Sequence, residues 1–95
     1  MTSSYGFTRH ANERSTSRNI SPMIAEIILE FGESRDAGDG ARKYALTKQS
    51  MGELRRRAGR ELAKAIDTYR NRNAYVVARA GRIITVAYSR VPLFH

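Results

Sequence analysis

The sequence predicts an α+β domain, a small antiparallel sheet packed against helices in the approximate order ααββαββ. Three observations carry that reading. Apolar residues recur at helical spacing over residues 22–31 and 50–69, and β-branched and aromatic residues crowd both sides of Ala80-Gly81. The third is size: 95 residues with 41% hydrophobic content suit a single domain, residues 1–95. Such a domain buries only about two-thirds of the surface its unfolded chain exposes, so a partner or a second copy in a homodimer would stabilise it.

Taken in order, Phe7 to Ser15 has weak helical character, with Phe7, Ala11 and Arg14 on a common side and Thr8 as its cap. The second helix is better marked. Ser21 is a good N-cap, Pro22 suits the first helical position, and Gly32 is placed to end the helix in a left-handed conformation. Its core stripe reads Met23, Ile24, Ile27, Ile28 and Phe31, leaving Glu26 and Glu30 on an acidic outer face. Residues 33–40, with Gly38 and Gly40, read as the tip of an irregular hairpin between Glu33-Ser34 and Lys43 to Leu46. Lys43 to Thr47 is its second strand, with Tyr44 and Leu46 on one face.

A capping-box pattern, Ser50-x-x-Glu53, opens the third helix. Leu54, Ala58, Leu62, Ala65, Ile66 and Tyr69 then form an apolar stripe, opposite a cationic face of Arg56, Arg57, Arg60 and Lys64. Gly59 costs about 1 kcal/mol relative to Ala in a helix interior, which makes two helices separated there the alternative. After a turn at Asn71 to Asn73, residues 74–79 and 82–88 read as a hairpin about Ala80-Gly81. Both of its faces are fairly apolar, which places it centrally with helices on at least one side. Residues 1–5 and 91–95 carry no such pattern and are candidates for disorder.

Charge is the most informative feature. Residues 1–40 hold four Arg against six acids, whereas residues 41–95 hold thirteen Lys or Arg against Glu53, Glu61 and Asp67. The second half therefore accounts for the whole net charge of +8. Arg supplies 14 of the 17 basic residues, and its planar fork of donors suits phosphate oxygens and stacks on bases. Nucleic acid is the first partner this implies, an acidic protein the second, and a merely solvated basic face the third.

Several classes fall away. With no cysteine there are no disulfides, thiolate metal sites or cysteine nucleophiles, and the cytoplasm is the expected compartment. Met1 to Ser4 is short and polar, and no apolar run approaches the roughly 20 residues that cross a bilayer, so no membrane is expected. His10 and His95 are the only histidines and neither has a second ligand at metal spacing. Gly38-Asp39-Gly40 lacks the rest of a nucleotide or calcium motif, and no metal or other cofactor is called for.

One compact polar group remains, Arg9, His10, Glu13 and Arg14, in which positions 10, 13 and 14 share a helical face. Cleaving RNA by its own 2′-hydroxyl needs a base, an acid and cations for the phosphorane, and these residue types can fill those roles. Equally, Glu13 can pair with Arg9 or Arg14 while His10 packs its ring and anchors a loop.

Thr8 to Arg14, Arg18 to Ser21, Ile27 to Glu33, Gly38 to Gly40, Lys43 to Lys48, Tyr75 to Val77 and Gly81 to Tyr88 together resemble the domain-of-unknown-function 4258 family, whose opening reads HA.ER...RgIs...I...L..Ge. That family is similar to the BrnT and RelE type of bacterial toxin, small basic proteins that cleave RNA and are held inactive by an antitoxin. The resemblance implies a RelE/BrnT-like fold and a toxin-like RNA-binding protein with metal-independent endoribonuclease activity as a candidate function. On that reading His10 and Glu13 are the acid–base candidates, and Arg14, Lys43, Lys48 and Tyr88 position or stabilise phosphate, Tyr88 standing where related sequences often place His. Lys43, Arg55, Arg56, Arg57, Arg60 and Lys64 supply nucleic-acid contacts, and an acidic antitoxin is a candidate partner. The alternative is a non-catalytic binding protein of a phage or mobile element that docks on nucleic acid, or on a complex handling it, through its basic helix.

Overall fold

The computed structural model describes residues 20–94 and the backbone of Gly6 and Phe7. Among the described residues the protein has the α+β architecture its patterning predicts, a four-stranded antiparallel sheet extended at one edge by a short parallel strand, with three helices. In chain order these are β1 (Gly6–Phe7), α1 (Pro22–Phe31), β2 (Glu33–Gly38), β3 (Ala41–Ala45), α2 (Lys48–Ala58), α3 (Arg60–Asn71), β4 (Ala74–Arg79) and β5 (Arg82–Tyr88). The sheet order is β1-β5-β4-β3-β2, with the two residues of β1 lying parallel to β5 at one edge. Phe7, expected to open a helix, is instead in β1 opposite Ile83, and the rest of that expected helix lies outside the described residues.

Ser21 caps α1 as read, its hydroxyl accepting the Ile24 amide at 3.2 Å, with Pro22 at the first helical position. Burial departs from a simple stripe. Six consecutive residues, Ile24 to Leu29, are buried, including Glu26, while Met23 is 59% exposed. A helix buried around most of its girth has no acidic outer face at Glu26, and the Met23 position lies beyond the packed turns. Gly32 ends α1 in extended backbone, φ −73° and ψ 161°, and not in the left-handed conformation expected.

β2 runs on to Gly38, beyond the expected Glu33-Ser34 arm, β3 begins and ends two residues before the expected Lys43 to Thr47, and the turn uses positive φ at Gly38, Asp39 and Gly40. The β4–β5 hairpin has the predicted limits, with Ala80 and Gly81 both at positive φ as a tight two-residue turn demands. Ile84 is the extra residue where the β4–β5 register shifts. One face of the sheet presents Ala74, Val76, Ala78, Ile83 and Val86 to the core, against Ile28 of α1, Leu54 of α2 and Ile66 of α3. On the other face Tyr75 stands in a cross-strand row between Ala45 and Ala87.

The basic helical region is two helices, the alternative the Gly59 position allowed. Gly59 has φ 96° and ψ 164°, far from helical values, and its amide still caps α2 by bonding the Arg55 carbonyl at 3.0 Å. The break resets the helical phase. Ala58, Leu62 and Ala65, which a continuous helix would align with Leu54, are exposed, and Ala63 and Ile66 take the buried positions. The capping box also sits elsewhere: the helix starts at Lys48, Thr47 is the N-cap, and Ser50 is the reciprocal partner. Ser50 N donates to Thr47 Oγ1 and Thr47 N to Ser50 Oγ, both at 3.1 Å, so Glu53 has no part in it. Beyond β5, Leu93 and Phe94 are half-buried, whereas the sequence marked this end as a candidate for disorder.

Candidate nucleic-acid interface

Helical spacing and the Gly59 break together build a cationic groove. α2 places Lys48, Met51 and Arg55 on one face at intervals of three and four residues, and α3 turns back beside it. From α3 come Arg60, Ala63, Lys64, Asp67 and Arg70, again on one face, to close a groove of about 480 Å³. Its lining holds five cations and one acid, a net charge of +4. That acid is already engaged, since Asp67 Oδ1 accepts Arg70 Nε at 2.5 Å. Arg55, Arg60, Lys64 and Lys48 have no ion-pair partner among the described residues.

Electrostatics at the Lys48 end add to this. Lys48 occupies the first turn of α2, where no acid offsets the partial positive charge of the helix N-terminus. A cation there costs the isolated helix about 0.3–1 kcal/mol and leaves a corner that favours an incoming anion.

The expected nucleic-acid contacts divide. Arg55, Arg60 and Lys64 face the groove. Arg56 is turned to Glu53 on the surface at 2.6 Å. Arg57 lies over the Phe31 ring at 5.1 Å and 3.9 Å from Glu30, tying the end of α2 to α1. Lys43 is on the sheet, its ammonium 4.3 Å from the centre of the Tyr75 ring. Arg70, absent from the sequence-derived set, completes the groove; its spacing of ten from Arg60, nearly three helical turns, was the available signal.

Among the catalytic candidates, His10, Glu13 and Arg14 lie outside the described residues. Lys48 is in the groove, but Tyr88 lines neither it nor the cleft beside it. Tyr88 packs against the core at the end of β5, with the Arg72 guanidinium 4.1 Å above its ring and Arg72 Nη1 donating to its oxygen at 3.4 Å. Desolvation pushes its phenol above the ordinary value, against the pull of Arg72 and with a small rise from Tyr69. At neutral pH Tyr88 is thus a protonated group, able to donate a hydrogen bond and poorly suited to act as a base.

A second cleft, of about 460 Å³, adjoins the groove and shares Lys48 and Arg70 with it. Its walls are otherwise different: Leu46, Leu93 and Phe94 give apolar surface, and Gln49, Asn73 and Glu33 give hydrogen-bonding groups. Among the described residues no group of three or more His, Cys, Asp or Glu could hold a metal ion, and no helix is long and apolar enough to cross a membrane.

Comparison with family models, curated proteins and solved structures finds no match to this chain. The family resemblance therefore rests on the quoted residues alone.

Proposed function

We propose that this protein binds RNA, with the phosphate backbone seated in the α2–α3 groove. The observation that carries this is the convergence of Lys48, Arg55, Arg60 and Lys64 on one groove whose single acid is held by Arg70. Guanidinium and ammonium groups gathered this way meet phosphates at the cost of few internal ion pairs, and released counterions drive the association. RNA is preferred to DNA on the family resemblance, which also supports the toxin-like reading and an acidic antitoxin as the natural competitor for the same groove.

Salt titration of RNA binding tests the reading. For a single strand, the logarithm of the association constant falls against log salt with a slope of about −0.7 per phosphate contacted. Arg60→Gln with Lys64→Gln should flatten that slope by about 1.4 while weakening binding to all sequences alike. Arg56→Gln, whose guanidinium is directed to Glu53, should leave it unchanged. Binding that ignores salt, or loses as much on Arg56→Gln, would remove the groove from the interface.

For cleavage the acid–base candidates, His10 and Glu13, lie outside the described residues, and Lys48 in the groove is the described candidate for stabilising phosphate. Incubation with RNA and a chelator separates the two modes. Cyclic phosphate ends made by the wild type but not by His10→Ala would add catalysis to binding, and bound but intact RNA would leave a docking protein.

A further inference from the structure

We infer that the cleft beside the groove takes one unpaired nucleobase, so that the RNA bound here is single-stranded. The inference rests on the groove reading above and names its substrate more closely. Lys48 and Arg70 line both cavities, so a phosphate held at that pair has the cationic groove on one side and the second cleft on the other. Arg70 is oriented for this contact, because Asp67 holds its Nε and the Asn71 side chain accepts from Nη2, which leaves Nη1 without a partner among the described residues.

What lies past that phosphate suits a base and not a second phosphate. The cleft's volume of about 460 Å³ falls within the usual 300–1,000 Å³ of small-molecule sites. Its apolar wall is Leu46, Leu93 and Phe94. The Arg35 guanidinium covers one face of the Phe94 ring at 4.7 Å, so a base entering the cleft would stack on the opposite face. Gln49 and Asn73 present side-chain amides, donor and acceptor together, with no partner among the described residues, and such pairs match base edges. Glu33 adds a carboxylate that repels phosphate but accepts from a base N–H. In a duplex the base edges are paired and the faces stacked, so only an unpaired base can enter.

The probe is a labelled single-stranded RNA of about 12 nucleotides, compared with its duplex and with an abasic strand of the same length. Wild-type protein should bind the strand about tenfold more tightly than either, as expected for one base–aromatic stack. Phe94→Ala should bring the strand down to the duplex level and leave the duplex affinity where it was. If strand, duplex and abasic strand bind equally while salt still weakens all three, the base cleft is overturned and the groove stands. If no salt-sensitive RNA binding is found at all, both fall. The comparison of the three probes uses wild-type protein only, so the result does not depend on how the variant folds.

Discussion

At Gly32 the backbone is extended, yet a Cβ would stand 2.4 Å from the Ile28 carbonyl oxygen and 2.8 Å from that of Ala45. Both are backbone atoms, and the first already accepts the Gly32 amide at 2.8 Å, so neither can give way without moving α1 or β3. Gly32→Ala should cost about 1–3 kcal/mol, read from the midpoint of denaturant unfolding. The chain pattern marks Gly32 as a helix end but does not show which strand passes against it, and that close approach, not a left-handed conformation, is what requires glycine there. Tyr88 gives a pH dependence. Its folded pKa is raised above the value near 10 of an unfolded tyrosine, so the folded state keeps the proton longer. The resulting stability is fully present below about pH 10 and is lost as pH rises through the folded pKa. Removing it as Tyr88→Phe should shallow the fall of unfolding stability above about pH 10, and Arg72→Ala should move the tyrosinate absorbance change to still higher pH.

Among the elements, the α2–α3 pair depends most on one position. Gly59, with φ 96° and ψ 164°, occupies a region essentially reserved for glycine, although no atom within 4 Å opposes a Cβ. Its constraint is conformational, the reverse of the case at Gly32. Gly59→Ala should therefore destabilise the protein by about 1–3 kcal/mol. By straightening the joint it should also weaken RNA binding more than Arg56→Gln does, because Arg55 and Arg60 would no longer face one groove; paired denaturation and binding titrations check this. The existence and type of α1, α2, β4 and β5 were legible, since caps, turn residues and periodicity are local. The phase of α3 was not, because the choice between one helix and two turns on whether packing Ala63 and Ile66 offsets the broken ladder at Gly59.

For the molecule as a whole, a net charge of +8 concentrated after residue 40 steers anions toward one region but does not select among them. Selection comes from arrangement. Of the six cations the sequence nominated for nucleic acid, three line the groove, while Arg56, Arg57 and Lys43 are spent on Glu53, on Phe31 with Glu30, and on Tyr75. Those internal contacts pair residues on different helices and strands as readily as on one, so spacing along the chain cannot rank a cation as free or engaged. Much the same holds for the apolar cleft, where Leu46 and Phe94 meet from distant parts of the chain.

The class of fold, the hairpin limits at 74–79 and 82–88, the Ser21 cap and the uneven charge followed from the sequence by itself, because each depends on residues within a turn or two of one another. Tertiary structure alone decided that Lys48 and Arg70, 22 positions apart, would share the wall between two cavities. A one-residue break at Gly59 folds α3 back along α2, and burial of Leu54 and Ile66 in the common core holds it there. That balance is set by long-range packing, which no local pattern records.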